Sequence, residues 1–234
     1  MILDSRRITH MGINHVVWPM PAIEQQNRLK FEQSLLTSGI NVTSGTIQGK
    51  QILVRRQPPQ PLEIRLIAQS TRPQVGQILI KATPPERPLR QFINEVEAIL
   101  EAFKQAWPSP NRQILSCDAA LECLYKSTSK HAFEELWEKR LHQPPESLGE
   151  LGRKVLGGGL RFVMPPQPND PEPIQVEVKI ESYLRDTTQI FIATQFAWRG
   201  PKPPGTDFNP EERLNQVNQY IENQVHAFMM ESES

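Results

Sequence analysis

Histidine, cysteine and carboxylate side chains hold metals and move protons, and in this sequence their spacing suits neither task. The five histidines, His10, His15, His131, His142 and His226, include no pair at the H-x-H or H-x-x-x-H spacing that sets two imidazoles on one face. Cys117 and Cys123 share strand parity. An extended strand holds them about 20 Å apart, too far for a common metal or a disulfide. Asp118, Glu122 and His131 are the nearest thing to an acid/base cluster, yet no signature such as G-x-S-x-G accompanies them. Gly157-Gly158-Gly159 has the composition of a phosphate-cradling loop but follows a predicted helix instead of opening one, so a helix cap and bend is expected there. No metal, cofactor or catalytic set is predicted, and binding is favoured over catalysis.

Side chains suited to contact are better represented. Strand parity puts Arg55, Glu63, Arg65 and Lys81 on one side of their strands, and Arg161, Glu177, Lys179 and Arg199 on the equivalent side of theirs. Several arginines on one broad face can grip carboxylates, phosphates or a protein surface, although the interleaved glutamates also fit an ordinary, self-compensated solvated face. Trp198 and Arg199 precede the stiff loop Pro201-Lys202-Pro203-Pro204-Gly205, and Trp18 ends the first predicted strand beside Pro19. Tryptophan and arginine are enriched in binding hot spots. The expected partner-binding residues are therefore Trp198, Arg199, Arg65, Lys179, Arg161, Arg55 and Trp18. His15 and Asp118 are expected to face a pocket if one lies between the two halves of the chain.

Two halves are expected because two segments recur. Pro59 to Ile64 returns as Pro171 to Val176, and Gln77 to Ile80 returns as Gln189 to Ile192, both at a distance of 112 residues. A repeat with a constant offset points to duplication of one unit. The first unit, over 12–107, is predicted as β-α-β-β-β-α. It has a strand over 13–18, a helix over 22–38, strands over 43–56, 62–68 and 75–82, and an amphipathic helix with Leu89, Phe92, Ile93, Val96, Ile99, Leu100 and Phe103 on one face. The second unit, over 112–230, repeats the pattern with strands over 114–125, 160–164, 174–183 and 189–199. Helices are expected over 130–141 and 147–156, with a last helix opened by Asn209-Pro210-Glu211-Glu212. Residues 1–11 are expected to form an irregular arm and 231–234 a polar tail.

The fold expected is α+β, a pseudo-two-fold pair of antiparallel sheets with helices packed on one face. Ile174, Val176, Val178 and Ile180 alternate with Gln175, Glu177, Lys179 and Glu181, so each sheet has one apolar face for the helices and one wet face. Lysine plus arginine (26) balance aspartate plus glutamate (26), which argues against nucleic acid or anionic lipid as the main partner. The opening Met-Ile-Leu-Asp-Ser-Arg-Arg lacks a signal-peptide core and no long apolar run occurs, so no membrane contact is expected. Two cysteines in 234 residues fit a reducing, cytoplasmic setting. The function expected is a non-catalytic adaptor that holds a protein partner on the wet sheet face and its Pro-rich rim. The alternative is a small-molecule binder or enzyme with a pocket between the repeats.

Overall fold

In the computed structural model, residues 1–20, 22–68, 74–84 and 87–230 are described, and the expected tail over 231–234 lies outside them. Along the chain run β1 (Ile2–Trp18), α1 (Gln25–Thr37), β2 (Thr43–Gln48), β3 (Gln51–Arg56), β4 (Leu62–Ala68), β5 (Gly76–Ala82), α2 (Leu89–Ala106) and β6 (Gln113–Lys126). Then come α3 (Ala132–Glu134) with a π-helical turn over Glu135–Arg140, a 3-10 turn over Pro145–Leu151, β7 (Gly159–Met164), β8 (Ile174–Ser182), β9 (Gln189–Arg199), α4 (Pro210–Tyr220), a second π turn over Ile221–Val225, and α5 (His226–Met230).

Among the described residues nine strands form a single antiparallel sheet in the order β2-β3-β4-β5-β1-β6-β9-β8-β7. The two longest strands, β1 and β6, lie side by side near its middle. Alternation sets which way each side chain points. Met11, Ile13, His15 and Val17 of β1, Cys117, Ala119, Leu121 and Cys123 of β6, and Ile190, Ile192, Thr194, Phe196 and Trp198 of β9 all turn to one side and are buried. The helices lie on that side. Phe31 and Leu35 of α1, the Phe92 to Phe103 stripe of α2, and Leu214 and Val217 of α4 join the strand residues in one core. Each fully buried large apolar side chain contributes roughly 1.5–3 kcal/mol. That burial fixes the helices to one face, and among the described residues no helix crosses the other.

Several elements differ from expectation. The irregular arm over 1–11 is part of β1, whose pairing with β6 shifts register between Ile2 and Arg7 and again between Ile8 and His10. Each shift inserts a bulge that breaks the period of two, which is why this stretch carries no visible alternation. Arg6 anchors it, donating to Glu222 and to Asn218 at 2.8 Å each. The helix expected over 147–156 is the shorter 3-10 turn, closed by Gly152 in the left-handed region (φ 69°). Gly157 to Gly159 are therefore not its cap. They bring the chain against β8, where a Cβ on Gly159 would run into the Ile180 carbonyl. The last helix starts as expected, with Glu212 N–H donating to the Asn209 side chain at 3.2 Å and proline at the first position.

Candidate functional site

On the uncovered face, strand pairing arranges side chains in rows. One row runs Arg55, Glu63, Lys81, Gly12, Ala120, Gln195, Glu177, Val163 from β3 to β7. The next runs Leu53, Arg65, Leu79, Asn14, Asp118, Ala197, Gln175. Small residues sit in the middle and long charged ones on the wings. That gradient of side-chain length leaves the centre of the face low.

Each wing is organised around one glutamate. Glu63 accepts from Arg65 at 2.6 Å and Arg55 at 3.0 Å, with the Lys81 ammonium 3.2 Å away. Its partial burial pushes the carboxyl up, but the hydrogen bonds from Arg65, Lys81 and Arg55 outweigh burial and hold it at about 2. Glu177 accepts from Arg161 through both oxygens, at 2.9 and 3.1 Å, with Lys179 at 3.6 Å. The hydrogen bond from Arg161 is the main reason its carboxyl lies below the ordinary range. One glutamate stands among three cations on the one wing and among two on the other, so the ion pairs interrupt the positive charge without cancelling it. This face carries no unbroken positive field for a phosphate backbone.

At the centre is a hollow of about 270 Å³ lined by His10, Gly12, Asn14, Gln77, Asp118 and Gln195 among others. Asn14 Nδ2 donates to Asp118 Oδ2 at 3.1 Å, and the Arg199 guanidinium lies 3.5 Å from the other Asp118 oxygen. The His10 ring lies over Gly12, where a Cβ would strike it, and contacts Thr83 Oγ1 at 2.5 Å. Burial lowers the affinity of His10 for a proton, against a raising influence from Glu122. The groups that meet here are hydrogen-bonding amides, one carboxylate and one imidazole. They can orient a polar ligand or the backbone of a docked segment.

Of the residues expected from sequence, Arg55, Arg65, Arg161, Lys179, Arg199, Trp18 and Asp118 lie on the uncovered face. Trp18 is 40% exposed and stands at the same end of the sheet as Arg199. Trp198 does not lie there. Its indole is 1% exposed on the helix side, beneath the Arg213 guanidinium at 4.6 Å from the ring centre, so a partner cannot touch it. His15 is also turned inward, 1% exposed and edge-on to Phe208 at 4.8 Å, on the opposite side of the sheet from Asp118. In both cases neighbours in sequence point to opposite faces, Trp198 against Arg199 and His15 against Asn14. The Pro-rich segments are pinned at the sheet end, because Glu172 accepts from Arg213 at 2.7 Å and also binds Lys202.

Asp118, Glu122 and His131 do not converge. β6 runs roughly 27 Å beyond Asp118 before the chain turns, and His131 stands exposed past that turn, 3.4 Å from Thr187 Oγ1. Among the described residues no three metal-ligating side chains come together. Cys117 and Cys123 are free and buried, and burial pushes the Cys117 thiol up to about 12, far from a reactive thiolate. Sequence reasoning did not single out Asn14, Gln77 and Gln195, although their strand parity was readable. It also missed a cleft of about 700 Å³ beside α3, walled by the stacked rings of Phe133 and Trp137 with Arg153 and Lys154 at its lip.

Among the described residues no helix is long and apolar enough to cross a membrane. Compared with protein-family models the sequence matches none, and a comparison with curated proteins finds no match either.

Proposed function

We propose that this protein is a non-catalytic binding or adaptor protein that holds a protein partner on the uncovered sheet face and the Pro-rich rim beside it. The observation that carries the reading is the one-sided sheet: nine strands wide among the described residues, helices on one side, and on the other a low centre flanked by ion-paired wings. Mixed apolar, amide and paired-charge surface suits a protein better than a polyanion. Exposed contacts come from Trp18, Arg199 and the outer parts of Arg55, Arg65, Arg161 and Lys179. A reducing, cytoplasmic setting belongs to the same reading and is supported by the two free thiols.

The pseudo-two-fold duplication is part of the proposal. On one side of the central pair the order outward is β1-β5-β4-β3, and on the other it is β6-β9-β8-β7, each unit following its own first strand with its last. Among the described strands only β2 lacks a counterpart. Arg55, Glu63 and Lys81 in one half then correspond in role to Arg161, Glu177 and Lys179 in the other.

The test combines Arg199→Glu with Gln195→Trp, which reverses one exposed charge and fills the centre of the face. Capture of the partner from the source extract should fall at least tenfold, about 1.4 kcal/mol, while the circular dichroism spectrum stays unchanged. Undiminished capture would remove the basis for the proposal. A second reading, a small polar ligand in the central hollow, is favoured by the convergence of Asn14, Gln77, Asp118 and Gln195 there. Native mass spectrometry of protein purified from its source separates the two, since one predicts a bound polypeptide and the other a small added mass.

A further inference from the structure

The two edges of the sheet end differently. At the β2 edge, Arg28 Nη1 donates to the Gly45 carbonyl at 2.6 Å and Glu32 accepts from the Gly45 N–H at 2.8 Å, so side chains of α1 occupy backbone groups that β3 leaves unpaired. The β7 edge has no such cover among the described residues. Its phase is fixed by the Ser182 N–H, which donates to the Gly158 carbonyl at 3.0 Å. From there on, Leu160, Phe162 and Met164 exchange bonds with Ile180, Val178 and Val176. Gly159, Arg161 and Val163 consequently turn their N–H and C=O groups away from β8, and all three residues are exposed.

An open edge of this kind is a template for another strand, and natural sheets usually blunt it with prolines, bulges or inward charges. Within β7 there is no proline and no shift of register. Beside it runs an apolar groove of about 420 Å³, lined by Phe162, Met164, Val178, Ile180, Tyr220 and Phe228 among others. The groove opens on the helix side, where the side chains of an added strand would enter.

We propose that β7 pairs antiparallel with β7 of a second copy of this chain, joining two sheets into one. The outward phase allows two central registers. One sets Arg161 against Arg161 of the second copy, like charge against like. The other sets Arg161 against Val163, each pair exchanging both of its N–H to C=O bonds. This second register brings Phe162 beside Phe162 of the second copy and Leu160 beside Met164, with Phe162 and Met164 at the mouths of the two grooves.

It also matches charge on the opposite face. Val163 lies between Glu177 and the incoming Arg161, whose Cα is then roughly 10 Å from that of Glu177, within reach of an arginine side chain. Every Glu177 gains a second guanidinium within reach, and the two Arg161 residues are diagonal neighbours instead of directly opposed. The two-fold axis stands perpendicular to the sheet, so both helix layers share one side and both uncovered faces remain open. Apart from Arg161 at the seam, the dimer leaves the contacts of the uncovered face free.

Sedimentation equilibrium on the full chain tests this with wild type, Val163→Pro, Val163→Lys and, on the opposite edge, Thr46→Lys. Proline at 163 deletes an outward donor without removing a bond to β8, and lysine places a cation against Arg161 of the second copy. Wild type should be a dimer, and each Val163 substitution should raise its dissociation constant at least tenfold with an unchanged circular dichroism spectrum. Thr46→Lys should leave the dimer as it is. If proline disturbs the fold, the lysine variant, which keeps its N–H, carries the comparison. A monomeric wild type, or a dimer indifferent to Val163→Lys, overturns the proposal.

Discussion

His15 sits between Ile78 and Cys117 in a row of the sheet that faces the helices, with Phe208 against its ring and within the electrostatic influence of Arg213. Burial is the main cause, and Arg213 a second, of its proton affinity falling to about 3. Its Nδ1 has no hydrogen-bond partner among the described residues. The folded-state value lies below the ordinary 6.5, so the native imidazole is neutral where the unfolded one is protonated. Stability is then fully present above the unfolded value and is lost as pH falls from about 6.5 toward about 3, by up to ~1.4 kcal/mol per pH unit. His15→Leu should flatten that part of the stability curve, measured by urea unfolding across the range. At neutral pH it should also gain about 1 kcal/mol by removing an unpartnered buried group. A variant that keeps the wild-type slope would show that another group causes it. His15 and Trp198 teach the same lesson about legibility. Alternation with Ile13 and Val17, and with Ile192 and Phe196, already placed them on the covered face, but their chemistry suggested a surface role and parity was the better guide.

Elements were legible where one physical signal governed a whole stretch. The alternation in Ile174 to Glu181 defined β8 and its wet side, and the apolar stripe from Leu89 to Phe103 defined α2. Legibility failed where the backbone departs from a regular period. Bulges hid the first half of β1, and the π turn over Glu135–Arg140 replaced what looked like an ordinary helix. The sequence was silent on which strands meet across the middle of the sheet, since the β1–β6 pairing joins residues about a hundred positions apart. Helix starts are more local and were readable. Asn209 accepts the Glu212 N–H, and its loss exposes an unpaired donor at the end of α4. Asn209→Ala should cost about 1 kcal/mol in urea unfolding, while Asn209→Asp should cost little. An alanine variant as stable as wild type would mean that Pro210 and the core contacts of Leu214 and Val217 define this helix start without the cap.

At the scale of the molecule, the helices leave a nine-strand face open, and that face has a definite relief. Charges at its wings are ion-paired around Glu63 and Glu177, with basic side chains in excess. Its centre is low, built from Gly12, Ala120, Ala193 and Ala197, with Asn14, Asp118 and Gln195 between them. The wings were foreseen as residues but not as closed ion-pair clusters, because parity gives the side of a strand and not the partner of a side chain. The central hollow was not foreseen at all, since it depends on the β1–β6 seam. The most direct measurement of the proposed role is photo-crosslinking in cells of the source organism from single positions on the two sides of the protein. A crosslinker at Gln195, on the open face, should form an adduct with a protein partner, and one at Glu101, on the exposed side of α2, should not. An adduct from Glu101 alone, or none from Gln195, would contradict the assignment of the open face as the binding surface.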